Sequence, residues 1–352
     1  MDDSLEGLTA AIRAACDHRA PLYLKGSGSK AFYGAPCAGT GLNVTGYRGV
    51  VQYEPTELVF TARAGTTLAD AEATLAERGQ MLAFEPPRFG PGATIGGCVA
   101  TGLSGPRRAF AGAVRDFVLG IRMLDGRGTD LSFGGQVMKN VAGFDLSRLM
   151  VGSLGTLGLV LEVSFKVLPR PPEELTLRFE MSEPQAIDAM NRWAGSPLPL
   201  SATCYRDGCV MVRLSGAPTA LASACAKLGG ERIDDGPAFW TAVREQTLDF
   251  FTGSKPLWRL SVKSTTPPLN LMGDQLIEWG GALRWLASDL PAEVVRLAAT
   301  NARGHATLFR ARGGLAPVFQ PLPPTLLALH RRLKQAFDPH GILNPGRMFA
   351  DT

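Results

Sequence analysis

Apolar positions recur at helical spacing at the start of the chain. Leu5, Leu8 and Ile12 share one face, Ser4 stands where an N-cap belongs, and the pattern predicts a helix over 4–15. A short apolar stretch at 21–25 reads as a strand running into Gly26-Ser27-Gly28-Ser29-Lys30. Residues 50–53 and 58–62 read as two strands about the turn Glu54-Pro55-Thr56. Thr67 then caps a helix reaching to about Arg78, with Asp70 three positions on and Gly79 as the stop. Between 90 and 112 the periodicity vanishes among glycines, and a strand follows at 118–124 before the turn Asp125-Gly126. The clearest strand places Leu161, Val163, Phe165 and Val167 in alternation with Glu162, Ser164 and Lys166.

The prolines of 169–172 interrupt this pattern and mark an expected boundary. Beyond it, strands are expected at 175–180, 202–205, 210–214, 258–262, 282–286 and 306–310. Helices are expected at 184–194, 219–228, 238–248, 292–302 and 324–337. This is an α+β pattern with an antiparallel sheet, so the chain divides into an N-terminal domain (1–170), a cap (171–335) and a terminal segment (336–352).

Composition narrows the function classes. A chain of 352 residues, 45% hydrophobic, can fill two cores. The net charge of +4 is spread along the sequence and points to neither nucleic acid nor a polybasic anchor. No run of eighteen apolar residues occurs, and the Met-Asp-Asp-Ser opening has no secretory character, so a membrane is expected only through a partner. The six cysteines (Cys16, Cys37, Cys98, Cys204, Cys209, Cys225) form no CxxC pair, and no two of the four histidines have metal-ligand spacing. Neither a metal site nor a cluster is expected, and scattered thiols suit a reducing cytoplasm.

Three glycine-rich segments carry the candidate chemistry. Gly26-x-Gly28-x-x-Ala31 follows a strand and fits a loose dinucleotide fingerprint. Gly34, Pro36 and Gly39 forbid the helix that a Rossmann unit requires, and no acidic residue stands near 47–51. A backbone nest for a pyrophosphate and an ordinary turn both remain open for this segment. The second segment, from Ala93 to Gly105, sets Gly96-Gly97 and Ser104-Gly105 among small residues, and the third runs from Gly152 to Gly158. Small side chains let backbone press against a flat or phosphorylated ligand. Three such segments in one domain, each beside a strand, are hard to explain as turns alone.

The order of these segments, with 115–120 (RDFVLG), 139–146 (KNVAGFDL), 152–158 (GSLGTLG) and the 337–347 ending (FDPHGILNPGR), resembles the PCMH-type FAD-binding domain of the vanillyl-alcohol-oxidase superfamily. The phrases 104–108 (SGPRR), 279–285 (WGGALRW) and 301–307 (NARGHAT) extend the resemblance to one branch, the smaller flavin subunits of bacterial glycolate oxidase (glycolate dehydrogenase). The resemblance implies non-covalent FAD. It assigns the pyrophosphate to Gly26, Ser27, Gly28, Ser29 and Lys30. Thr94, Ile95, Gly96, Gly97, Thr101, Gly102, Ser104 and Gly105 are to line the pyrophosphate and isoalloxazine side. Gly152, Ser153, Gly155, Thr156, Gly158 and Val160 are to form the third segment toward the adenosine half, and Asn344 and Arg347 are to return to the flavin from the terminus. Three residues depart from the family pattern: Ser29 where some relatives link flavin through histidine, Gly102 where asparagine is usual, and Arg347 in place of lysine.

The branch implies oxidation of a small 2-hydroxy acid, glycolate to glyoxylate. The implied partners are a larger FAD-binding subunit and an iron–sulfur subunit that passes electrons to quinone. Such oxidation needs a cation for the carboxylate, a base for the hydroxyl proton and a hydride acceptor. Arg303 and His305, two apart, are the candidates, if they share a strand face and His305 is not simply structural. Arg107 and Arg108 are further cations near the second segment, or surface charges. Trp279 and Trp285 read as core or interface. The histidine-rich metal motif of catalytic relatives has no counterpart here. A second reading therefore stands beside the first: a flavin-containing structural or electron-relay subunit that does not itself turn over substrate.

Overall fold

In the computed structural model, residues 4–135, 145–311 and 317–350 are described. Of the 139–146 phrase, only Asp145 and Leu146 fall within them.

The N-terminal half is built on a five-stranded antiparallel sheet in the order Val50–Glu54, Val59–Arg63, Leu159–Lys166, Val118–Leu124, Asp130–Gly134. On one face, helices Leu68–Ala76 and Ile95–Thr101 pack with Phe60, Phe84, Val163 and Phe165 in a core that excludes water. Thr67 caps the first of these helices, its Oγ1 accepting the Asp70 N–H at 3.0 Å. On the other face, helix Leu5–His18 lays Leu8, Ile12 and Ala15 against Leu124, Leu159 and Leu161. The expected alternation along the central strand breaks at one point. Arg122 pairs with Glu162 but Met123 with Val160, so Leu161 is the extra residue of a bulge. The bulge turns Leu161 to the first helix while Val163 and Phe165 face the opposite core.

Strand Leu22–Lys25 stands apart and pairs in parallel with Thr40–Asn43. Its other edge receives the terminal segment. Leu22 bridges to Leu343, the Leu22 N–H donates to the Ile342 carbonyl at 2.7 Å, and the Asn344 N–H to the Leu22 carbonyl at 3.0 Å.

The second half is an eight-stranded sheet in the order Glu231–Ile233, Glu173–Glu180, Cys209–Gly216, Leu200–Arg206, Asp274–Glu278, Leu283–Ala287, Leu257–Ser261, His305–Arg310. Every pairing is antiparallel. Helices Glu183–Ala194, Pro218–Leu228 and Ala292–Asn301 cover one face. The other face, with helix Gly236–Glu245, packs Cys204, Trp240, Trp285 and Phe309 against Tyr33, Leu103 and Leu154 of the N-terminal half. A charged network also spans the halves. Glu85 pairs with Arg213 at 2.8 Å and with Arg107, which also pairs with Glu174.

Two strands, Glu231–Ile233 and Asp274–Glu278, carry no legible signal because the first buries none of its residues and the second buries three in succession, without alternation. The stretch from Ala93 to Gly102, expected to lack regular structure, instead holds helix Ile95–Thr101, with Gly96 and Gly97 in its first turn. Its Thr94 cap accepts from Gly97 N–H at 3.2 Å.

Candidate functional site

A cleft of about 770 Å³, partly open to solvent, lies where strand Leu22–Lys25, helix Ile95–Thr101, the 154–160 segment and the terminal segment meet.

Residues 26–30 form one wall. Tight turns fix them: the Ala31 N–H donates to the Gly28 carbonyl at 2.9 Å and Tyr33 N–H to the Lys30 carbonyl at 3.0 Å. Gly28 has φ +79° and a Cβ there would meet nothing within 4 Å, so its open side faces space rather than protein. The amides of Ser27, Gly28 and Lys30 donate to no acceptor among the described residues. Free amides at the head of a cradle of small residues suit an anionic, phosphate-bearing group. Lys30 is buried, and one donor reaches the Arg88 carbonyl at 3.2 Å. Desolvation holds its ammonium below the ordinary lysine value.

The second wall works differently from the expected nest. The N–H groups of Ile95, Gly96 and Gly97 are already spent on Thr66, Ala64 and Thr94. This wall therefore supplies a close, smooth surface and no free N–H from these three residues. Gly96 is small for the protein's own sake: a Cβ there would lie 2.9 Å from Ala64 Cβ. Thr94, Gly96, Gly97, Ala100 and Thr101 line the cleft, whereas Ile95 is fully buried in the core.

The third wall contributes Leu154, Gly155, Gly158, Leu159 and Val160. Asn344 clamps two walls together: its Oδ1 accepts Leu24 N–H at 2.7 Å and its Nδ2 donates to the Leu154 carbonyl at 2.6 Å. The Arg347 guanidinium donates to the carbonyls of Ala31, Tyr33 and Ala35 at 2.8–2.9 Å. Both side chains line the cleft, yet their polar atoms shape its walls rather than point free into it.

Several expected contacts lie elsewhere. Gly102 caps the helix in left-handed geometry (φ +63°), and a Cβ there would sit 3.2 Å from Gly152 Cα. That crowding accounts for glycine in place of asparagine. Gly152, Ser153 and Thr156 turn the chain behind the cleft, the Thr156 hydroxyl donating to the Ser153 carbonyl at 2.7 Å. Ser104 accepts Val114 N–H at 3.1 Å, and Ser104 and Gly105 line a separate cavity under the cap sheet. Arg107 belongs to the charged network between the halves.

Arg303 and His305 do not share a strand face. Arg303 sits exposed in the turn before the strand with φ +57°, and His305 is the strand's first residue. Neither lines the cleft. His305 is exposed as a residue. Partial desolvation against the sheet and the nearby Arg259 charge nevertheless lower its pKa. Arg259, which carried no signal in the sequence, lies on the strand next to that sheet edge, on the face opposite Trp258 and Leu260.

The FAD binding domain family matches residues 3–134, and the FAD linked oxidases, C-terminal domain, matches residues 320–348. The glycolate oxidase subunit GlcE of Escherichia coli (strain K12) is 50% identical over 350 residues, 99% of this chain and 98% of that protein. This chain belongs to the GlcE family. More distant similarity reaches the glycolate oxidase subunit GlcD of Bacillus subtilis (strain 168), 32% identical over 46% of this chain and 34% of that protein. It also reaches a D-lactate dehydrogenase of Anaerostipes hadrus, 29% identical over 49% of this chain and 37% of its own length. Among solved structures, p-cresol methylhydroxylase superposes with a TM-score of 0.70 over 99% of this chain and 88% of its own, at 13% identity. Alkyldihydroxyacetonephosphate synthase superposes at 0.67 over 97% of this chain and 74% of its own, at 14% identity. The fold is thus PCMH-type, the cofactor is FAD, and the GlcE-family chain is an FAD-dependent oxidoreductase. No helix among the described residues is long and apolar enough to cross a membrane.

Proposed function

We propose that the chain is the smaller flavin subunit of a glycolate oxidase (glycolate dehydrogenase) complex that oxidises glycolate to glyoxylate. Each turnover releases two electrons and two protons. The observation that carries this reading is the end-to-end similarity to a glycolate oxidase subunit, on a chain whose cleft suits FAD. Bound FAD supplies the two-electron acceptor that no side chain of the chain provides. The free amides of Ser27, Gly28 and Lys30 and the Lys30 charge would hold the pyrophosphate, while Asn344 and Arg347 fix the walls around it. The division at about 170 is supported by one sheet ending at Lys166 and the next beginning at Glu173. With Ser29 after Gly28, the cofactor is held without a histidyl link at that position.

The proposed partners are a larger FAD-binding subunit and an iron–sulfur subunit, through which electrons reach the quinone pool. The scattered cysteines, none in a CxxC pair, leave one-electron transfer to a partner. The complex would sit in the cytoplasm, peripheral to the inner membrane. A second reading, in which this chain relays electrons or supports assembly without turning over substrate, is favoured by one observation. Arg303 and His305 do not converge and stand outside the cleft.

Anaerobic mixing with glycolate tests both. Bleaching of the flavin in the assembled complex, and none in the lone chain, supports complex-dependent oxidation. Rapid bleaching of the lone chain refutes the relay reading. No bleaching in the complex refutes glycolate as substrate.

A further inference from the structure

Residues 88–92 do not line the cleft, yet they lie directly against the wall that 26–30 forms. The Arg88 carbonyl accepts a hydrogen bond from Lys30 Nζ at 3.2 Å. A Cβ on Gly90 would lie 3.7 Å from Ser29 Cβ, and one on Gly92 would lie 3.3 Å from Ser27 Cβ. Ser27, Ser29 and Lys30 are thus all backed by this one loop. The loop does not hold its shape by backbone preference. Glu85 and Phe89 have φ +48° and +52°, and Gly90 has φ +146°. A bulky residue at positive φ is costly, so its surroundings must keep it there.

Part of that hold comes from the cap. Glu245, the last residue of helix Gly236–Glu245, accepts the N–H groups of Arg88 and Phe89 on a single oxygen, Oε2, at 3.0 and 2.9 Å. Its other oxygen accepts Arg244 Nε at 2.8 Å. The Glu245 side chain is only 18% exposed, so water competes little for these bonds. The Phe89 ring also meets Phe309 on the edge strand of the cap sheet, centroids 6.4 Å apart, and Phe32, two residues past Lys30, at 5.6 Å. An unbroken set of contacts therefore runs from the cap, through Arg88 and Phe89, to the residues expected to meet a phosphate.

We propose that Glu245 is a positioning residue through which the cap sets the affinity of the cleft for FAD. Glu245 fixes the Arg88–Phe89 backbone. The loop in turn holds Lys30 and presses on Ser27 and Ser29, so that the free amides of Ser27, Gly28 and Lys30 keep the spacing an anionic group needs. Burial depresses the Lys30 ammonium, and Glu245 is near enough for its charge to oppose that shift. Coupling of this kind is reciprocal: if the seated cap favours FAD, bound FAD favours the seated cap. It rests on FAD occupying the cleft and is independent of glycolate as substrate.

Fluorescence titration of the flavin-free, full-length chain with FAD, together with thermal unfolding in the absence of FAD, tests the proposal. Glu245→Ala, which leaves both amides without that acceptor, should weaken FAD binding roughly 10-fold. Glu245→Gln, whose amide oxygen can accept both N–H groups, should keep most of the affinity. Arg232→Gln, at an exposed position on the outer strand of the cap sheet, should bind FAD as the parent does. A purely structural role would lower the Tm of Glu245→Ala and leave its FAD affinity unchanged; that result overturns the proposal, as does a Glu245→Gln chain as weak as Glu245→Ala. If Glu245→Ala does not fold, hydrogen exchange on the parent decides. FAD should slow exchange at the Arg88 and Phe89 amides, and unchanged rates there would sink the coupling. A parent chain that takes up no FAD would refute the cleft as the cofactor site, and the coupling with it.

Discussion

Glu278→Gln is expected to stabilise the protein above neutral pH and to leave it unchanged in acid. Glu278 is 4% exposed, and burial moves its carboxyl from an ordinary 4.5 to about 7, against the opposing influence of Trp285 and Arg259. Below pH 4.5 the carboxyl is protonated in both folded and unfolded chains, and contributes nothing to the difference. Between pH 4.5 and 7 the unfolded chain ionises while the folded one stays neutral, so stability falls as pH rises. Above pH 7 the loss is complete. At ~1.4 kcal/mol per pH unit, it amounts to about 3 kcal/mol. Glutamine has no such charge, and its amide oxygen can still accept the Trp285 N–H. With an unfolding entropy of about 2.1 cal/mol/K per residue, 3 kcal/mol spread over 352 residues corresponds to roughly 4 °C in Tm. Thermal unfolding of parent and variant at pH 4.5 and pH 8.5 measures this. Equal Tm differences at the two pH values, or a less stable variant at pH 8.5, would refute the reasoning.

Gly96→Leu should disrupt the helix–sheet contact at Ala64 and lower the Tm by several degrees or prevent folding. Gly28→Ala, whose methyl enters open space, should cost about 1 kcal/mol of backbone strain and act mainly on FAD affinity. A Gly96→Leu protein with unchanged Tm would contradict the packing account. Asn344→Ala removes two hydrogen bonds, leaves the Leu154 carbonyl and Leu24 N–H without that partner, and should cost about 1–3 kcal/mol of stability together with FAD affinity; parent-like values in denaturation and flavin titration would count against it. Acid precipitation should release all flavin as FAD, and flavin left in the pellet would show a covalent link.

Much of the architecture was legible because periodicity reports burial directly. Strand Val118–Leu124 and helix Pro324–Phe337 lie where the apolar spacing puts them. The bulge at Leu161 was not legible, since an extra residue leaves the alternation in the sequence intact while turning one side chain to the other face. Helix Ile95–Thr101 was hidden because its glycines and small residues have low helix propensity. Tertiary contact with Ala64 and the Thr94 cap outweighs that deficit. Glycine-rich segments located the cleft, yet composition could not say which glycines face it: Gly28 does so openly, whereas Gly96 is also small for packing. Arg259 and Glu278 were invisible for a related reason. Each sits in an ordinary strand, and only the register of the cap sheet brings Arg259 to Trp279 and Trp285 to Glu278.

The clamp formed by Asn344 and Arg347 also bears on the order of events during synthesis. Asn344 bonds to Leu24 across 320 positions, and Arg347 to Ala31 across 316. A ribosome that has made the first sheet has produced all three walls of the cleft, but the side chain that joins the Leu24 edge to Leu154 is not yet made. The gap persists through translation of the entire cap. The cleft is therefore fastened only after residues 344–347 have been made, and a cofactor that arrives earlier meets walls that nothing yet holds together.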